Sequence, residues 1–426
     1  MAGPWQVSEL VTRGRLALGH RRPWLDPLAD RLLAAFGASR RPTSGRVAEF
    51  LVLDAGFLRA CKRLSLVTRR RPDIPAVMWP GPGQPSSWAV PPITSTTALA
   101  DHLGVSPAEL EWLADRFERE RRSPIDAPRR YVYRWVAKRS GSSRLVEVPG
   151  RRLRAVQRRL LREIVDNIPS HDAAHGFRTG RSVRTYIEPH VGRRVVLKLD
   201  LLEFFPTITS AWVTALFLVA GYPEPVARLL AGLCTNSVPS LLWDASSAPS
   251  KRPEAWRARR LYQRPHLPQG APTSPALANL IAYRLDVRLA GLAASAGASY
   301  TRYADDLAFS GDRDFERSVG RFHIHACAIA LEEGFSVNTR KTRIMRQGVR
   351  QRVAGVVVNE RPNFTRTDFD TLKAILHNCV THGPHGQDRH GHGDFRAHLL
   401  GRISHVASLN PDRGRRLREM FEQVAW

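Results

Sequence analysis

The run Thr301-Arg-Tyr-Ala-Asp-Asp-Leu-Ala-Phe-Ser-Gly311 sets two adjacent acids, Asp305 and Asp306, between two short apolar, β-prone segments. That order predicts strand, tight turn, strand, with carboxylates at the tip. The apolar flanks are expected to bury the hairpin and leave the acids exposed. Adjacent carboxylates repel each other, so the pair calls for Mg²⁺ or a basic partner. A further acid, Asp200, closes the hydrophobic run Val195-Val-Leu-Lys-Leu-Asp200. A carboxylate ending a buried strand is explained most simply if that strand lies beside the hairpin. Three carboxylates would then converge from distant parts of the chain. Such a cluster can hold two Mg²⁺ ions, which at a spacing of roughly 3.5–4 Å clamp the attacking and leaving oxygens of a phosphoryl displacement.

Charge points the same way. The 426 residues carry a net charge of +26. Arginine supplies most of the excess, and its planar fork of donors suits phosphate. A basic surface fits nucleic acid or an anionic membrane. The charge is clustered: residues 116–194 hold 21 Lys and Arg against 8 Asp and Glu. The four cysteines, Cys61, Cys234, Cys327 and Cys379, are far apart. No zinc ribbon or disulfide framework follows from them, and isolated thiols fit a reducing compartment. The histidines between His377 and His392 lack finger spacing, so no zinc site is expected. No signal peptide and no long apolar run is present, so a cytoplasmic protein without a membrane partner is expected.

Along the chain, helical periodicity runs from Val47 to Val67, and a Pro/Gly/Ser-rich linker from Pro80 to Pro92. Two short helices over Thr94–Phe117 have a helix-turn-helix pattern, with a plain packing hairpin as the simpler alternative. Tyr131–Val136 and Arg144–Val148 predict a hairpin with a basic tip. An amphipathic helix follows over Leu153–Ile168. Further helices are expected over Ser210–Leu233 (broken near Gly221), Ser274–Leu292 and Phe315–Glu333. Leu241–Arg264 has the composition of a surface insertion, and Arg352–Val358 that of a strand. From Thr367 the chain is helical, interrupted at His382–Gly393.

These segments, in this order, resemble a reverse transcriptase of the bacterial retron type. Tyr303-Ala-Asp-Asp306 is similar to the family's catalytic box, and Leu199-Asp-Leu-Leu-Glu-Phe-Phe-Pro-Thr-Ile208 to the box with its first metal-binding acid. Leu267-Pro-Gln-Gly-Ala-Pro-Thr-Ser-Pro275 with Ala278-Asn-Leu280 resembles the box between them. Ala174-His-Gly-Phe177, Arg181-Ser182 and Pro189-His-Val-Gly192 resemble the fingers segment. Val337-Asn338, Lys341-Thr342 and Val353-Ala-Gly355 resemble the boxes after the hairpin. Two positions depart from the retron wording: Tyr186-Ile187 replaces an Asn-Ala pair, and Val353-Ala-Gly355 replaces Val-Thr-Gly.

The resemblance implies an α+β right-hand polymerase, with an N-terminal helical extension and linker over 1–93. N-terminal helices and fingers would span 94–194, a palm with an antiparallel sheet 195–358, and a helical thumb 359–426. It implies RNA-directed DNA synthesis from dNTPs with Mg²⁺. Asp200, Asp305 and Asp306 would be catalytic and metal-binding, with the Leu201 carbonyl as a further ligand. Phe205 would lie under the sugar and reject a 2′-OH. Gln269 and Gly270 would position the incoming nucleotide, Lys138 and Arg144 would grip its triphosphate, and Lys341 would meet primer or nucleotide phosphates. The implied partners are a structured noncoding RNA that is both template and primer, its RNA–DNA hybrid product, and a separate effector protein in antiphage defence. Rival readings are an intron-type or diversity-generating reverse transcriptase, or a non-catalytic RNA-binding scaffold.

Overall fold

The computed structural model describes residues 5–18, 22–37, 42, 44–64, 78, 88–115, 129–137, 143–244, 253–389 and 391–426. It forms two compact units. One comprises Met1–Ala76 with Ser95–Thr97, the other Val77–Thr94 with Ala98–Trp426.

The described part of the first unit is helical, with helices Val7–Leu18, Leu25–Phe36, Ser44–Leu53 and Ala55–Leu64. Trp5, Leu28, Leu32 and Val47 form its buried centre. The single helical run expected from Val47 is two helices. Asp54 divides them: its carboxylate accepts from the Phe57 amide at 2.6 Å and caps the second helix.

The second unit is built on a four-stranded antiparallel sheet. Its strands are β3 (Val195–Asp200), β4 (Ser299–Tyr303), β5 (Asp306–Gly311) and β6 (Arg343–Arg346), in the order β4-β5-β3-β6. Side chains alternate along β3. Val195, Leu197 and Leu199 enter the main core, while Val196, Lys198 and Asp200 share the opposite face. Helices Ser274–Ile281, Tyr283–Ser295 and Arg313–Glu332 contribute Leu277, Leu285, Leu289, Phe315 and Phe322 to that core. Sequence periodicity predicted one helix over 274–292, but the chain breaks at Ala282, where ψ is 4°. The pattern of apolar residues survives a one-residue kink, so periodicity alone could not reveal it.

A separate hairpin pairs β1 (Tyr131–Ala137) with β2 (Ser143–Pro149). Helix Arg151–Glu163 follows, burying Leu153, Val156 and Leu160. The helices Thr96–Leu103 and Pro107–Ala114 bury Leu99, Leu103, Leu110 and Leu113 in the main core. Both helices direct these residues into the same core, and Pro107–Ala114 packs on helix Glu224–Cys234. The supposed surface insertion ends in helix Pro253–Gln263, whose Tyr262 is buried against Leu145 and Val238. The strand expected over Arg352–Val358 is instead a tight hairpin of β7 (Arg352–Val353) and β8 (Val356–Val357), turned by Ala354 and Gly355 at φ 48° and 82°.

Three C-terminal helices, Arg366–His382, Phe395–Leu409 and Pro411–Glu422, enclose Leu372, Leu376, Leu399, Ile403, Leu417 and Phe421. Side chains of Thr365, Asp394 and Asn410 cap their N-termini. Among the described residues, no helix is long and apolar enough to cross a membrane.

Candidate active site

β3 and β5 run antiparallel in a register that sets Asp200 opposite Asp306. One residue further on, the Leu201 amide donates to the Asp305 carbonyl at 2.9 Å. Tyr303 pairs with Asp306, so Ala304 and Asp305 alone make the turn. Ala304 adopts φ 55°, the left-handed backbone that a two-residue hairpin turn requires. The three acids expected to converge are therefore brought to one end of the sheet by backbone pairing.

Asp305 and Asp306 are half-buried rather than exposed as expected, and Asp200, at the end of its buried strand, is itself buried. Asp200 and Asp306 each have a basic neighbour. Lys341 Nζ donates to Asp200 Oδ2 at 2.8 Å, and Asn338 Nδ2 donates to Asp200 Oδ1 at 3.2 Å. Lys198 Nζ lies 3.0 Å from Asp306 Oδ1. As they stand, no three His, Cys, Asp or Glu side chains among the described residues are grouped so as to hold a metal ion. Asp305 is pushed up to about 6 by burial, then by the negative charges of Asp306 and Asp200. An all-oxygen donor set with an excess of negative charge fits a hard divalent cation. Burial is the largest single influence on Lys341 and opposes its charge, but the bond to Asp200 together with the negative charges of Asp200, Asp305 and Asp306 outweighs it, so the net shift is upward and Lys341 remains protonated.

The turn is braced from behind. Tyr186 Oη donates to the Asp306 carbonyl at 3.3 Å. His190 spans β4 and β5, with Nδ1 2.7 Å from Ser310 Oγ and Nε2 2.7 Å from Thr301 Oγ1. Burial, followed by the charges of His175 and Arg193, pushes His190 down to about 3, so it stays neutral. Arg302 is fully buried and pairs with Asp286, and its Nη1 also reaches Asn279 Oδ1 at 2.9 Å and the Ala304 carbonyl at 3.2 Å.

An aromatic surface adjoins the acids. Phe205 sits half-buried on the short helix Phe204–Thr207, with its ring centroid 6.3 Å from that of Phe177. Phe177 is 50% exposed, holds φ 58°, and lies 6.1 Å from Tyr303. Leu201 is buried and bridges to Val337.

Gln269 and Gly270 lie against β2. The Glu147 amide donates to the Gln269 carbonyl at 2.8 Å, and Gln269 Oε1 is buried with no hydrogen-bond partner. Gly270 holds φ 134°, and a Cβ there would meet the Glu147 carbonyl at 2.6 Å, so only glycine fits. Arg144 is exposed near the start of β2, opposite Val136. Lys138 lies outside the described residues.

Sequence reasoning missed Lys198, Tyr186 and the Arg302–Asp286 pair, and gave Asn338 no role. Only Lys198 left a signal: a lysine interrupting an apolar strand, two residues before Asp200 and so on its face.

Residues 136–365 match the family described as reverse transcriptase (RNA-dependent DNA polymerase). The chain belongs to that family, and with it to the right-hand polymerase fold. Among curated proteins it is 40% identical to the retron Mx65 reverse transcriptase of Myxococcus xanthus, over 96% of this chain and 89% of that one. It is 36% identical to the retron Mx162 reverse transcriptase of the same organism, over 76% of this chain and 65% of that one. With the retron Ec86 reverse transcriptase of Escherichia coli it shares 30% identity, over 68% of this chain and 79% of that one. It is a retron-type reverse transcriptase, an RNA-directed DNA polymerase.

Proposed function

We propose that this enzyme copies a structured noncoding RNA that serves as both template and primer. Synthesis starts from a guanosine 2′-OH and yields the branched RNA–DNA hybrid called msDNA, within a retron that defends its host against phage together with a separate effector protein. Residues 94–194 act as N-terminal helices and fingers, 195–358 as palm and 359–426 as thumb.

The observation that carries the reading is the register of Asp200 against Asp306, with Asp305 in the turn between strands. Asp200, Asp305 and Asp306, with the Leu201 carbonyl, would hold the divalent ions. When bound, Mg²⁺ lowers the pKa of the attacking hydroxyl and neutralises charge on the leaving pyrophosphate. Lys138 and Arg144 grip the triphosphate. Lys341, already among the acids, meets phosphates of the primer end or the nucleotide. Phe205 offers its ring to the sugar and excludes a 2′-OH, which selects deoxynucleotides. Gln269 and Gly270 position the nucleotide against the template base.

The test is Asp305→Asn. It abolishes extension of a primed RNA template and leaves RNA binding nearly intact; persistent extension would remove the metal assignment. Sequencing nucleic acid that copurifies with the protein from its host tests the priming. A covalent RNA–DNA branch supports the 2′-OH start, whereas linear cDNA on intron or repeat RNA favours an intron-type or diversity-generating enzyme.

A further inference from the structure

The hairpin β1–β2 meets the Gln269–Gly270 loop through a buried polar cluster. Glu147 on β2 has no solvent exposure, nor has His266. His266 Nε2 lies 2.9 Å from Glu147 Oε1, and Asn236 Nδ2 donates to Glu147 Oε2 at 2.8 Å. Asn236 also bonds Tyr133 Oη at 3.0 Å and accepts from Arg130 Nη2 at 3.3 Å. The other imidazole nitrogen, Nδ1, faces the Arg264 carbonyl at 2.8 Å. A carbonyl only accepts, so Nδ1 carries a hydrogen, and one further proton must lie between Nε2 and Oε1.

A buried charged cluster is a poor device for stability, because desolvation offsets most of the attraction. What it does supply is fixed geometry. Both carboxylate oxygens of Glu147 are used, and its main chain meets the loop as well. Its amide holds the Gln269 carbonyl, and its own carbonyl sits where a side chain on Gly270 would be. His266 is three residues before Gln269, so its bond to Glu147 fixes the other end of the same loop. Arg144 is three residues before Glu147 and therefore on the opposite face of β2, where it is exposed. One side chain thus ties the loop bearing Gln269 to the strand bearing Arg144.

We propose that Glu147, held by His266 and Asn236, is a positioning residue that sets the spacing between the Gln269–Gly270 loop and the Arg144 strand, and so sets affinity for the incoming deoxynucleoside triphosphate. The proposal rests on the reading of Gln269 as a nucleotide contact. A misplacement on the order of 1 Å at such a site costs up to about a hundredfold. The effect belongs in KM rather than kcat, because the acids on the sheet are untouched.

The experiment uses the full chain, a defined RNA template annealed to a DNA primer, and single-nucleotide extension at varied dNTP. Glu147→Leu removes both carboxylate acceptors, leaving Asn236 and His266 without them, and raises KM about tenfold or more, with kcat and template–primer affinity changed less than about threefold. His266→Ala does the same. His266→Gln, whose Nε2 can replace the ring nitrogen, restores most of the affinity. Gln157→Leu is the structural control: Gln157 is equally buried and bonds Tyr131 Oη and the Leu233 carbonyl, away from the loop. It lowers the melting temperature without moving KM. If Gln269→Ala raises KM while Glu147→Leu and His266→Ala do not, the positioning role is overturned and the Gln269 reading stands. If Gln269→Ala leaves KM unchanged, the reading of the loop fails and the inference falls with it.

Discussion

Lys341 Nζ bonds Asp200 Oδ2 at 2.8 Å across a sequence separation of 141 residues, joining a lysine side chain that is 60% exposed to a carboxylate that is 7% exposed. The arrangement sets an exposed cation over a buried anion. A half-exposed pair of this kind contributes little to stability, about 1 kcal/mol or less. On the function proposed above, its value would lie in placing positive charge where phosphate charge develops. Lys341→Gln is expected to slow extension by roughly tenfold to a hundredfold while shifting the melting temperature little. Single-turnover extension beside a thermal melt checks this, and an unchanged rate would make Lys341 a surface lysine.

Asp305 supplies a pH signature in metal-free protein. Its folded-state pKa is about 6, above the ordinary 3.8, because burial and the neighbouring Asp306 and Asp200 disfavour its charge. The folded state therefore holds the proton more tightly than the unfolded chain does. Its contribution to stability is fully present below about pH 4 and is lost as pH rises through about 6. In EDTA, Asp305→Asn should melt above the parent at pH 7, and the difference should vanish near pH 4. Adding Mg²⁺ at pH 7 should raise the melting temperature of the parent and leave the variant nearly unmoved. Equal melting curves across this range would refute the shift.

Arg302 and Asp286 form an ion pair with no exposure, and Arg302 also holds the Ala304 carbonyl of the acid-bearing turn. Removing one partner leaves a buried charge, which costs about 3–5 kcal/mol. Asp286→Asn and Arg302→Met should each lose stability on that scale by chemical denaturation. The double variant Arg302→Met with Asp286→Leu should recover much of the stability but not the extension activity, since the turn keeps no donor for Ala304. Full recovery of activity would mean that the pair does not position the turn.

Gly176 packs under the same turn. A Cβ there would lie 2.8 Å from the Ala304 nitrogen, and the Gly176 carbonyl is fixed by Asn279 Nδ2 at 2.7 Å. Neither side can yield without moving the hairpin. Gly176→Ala is expected to cut extension by about tenfold or more with RNA affinity retained, as read by filter binding beside primer extension. Wild-type rates would show that the turn tolerates the shift.

Much of the frame was legible in the sequence because short-range patterns encode it. The apolar run Val195–Leu199 ending in an acid is strand β3, and Tyr303-Ala-Asp-Asp306 is a turn between strands, as alternation and turn chemistry require. The break at Ala282 and the β7–β8 hairpin were not legible. Both depend on the backbone angles of one or two residues inside otherwise regular patterns. In the first unit, the cap by Asp54 was missed because its use depends on where the following helix begins.

The sequence alone determined which acids exist, that they fall at a strand end and a turn, and that the surface is basic, since these follow from local order and composition. Tertiary structure alone decided which partner each acid keeps: Lys341 and Asn338 for Asp200, and Lys198 for Asp306. It alone brought Glu147 to His266 across 119 residues. Hydrogen bonds are made within a few tenths of an ångström, and no local pattern specifies a distance between residues a hundred or more positions apart.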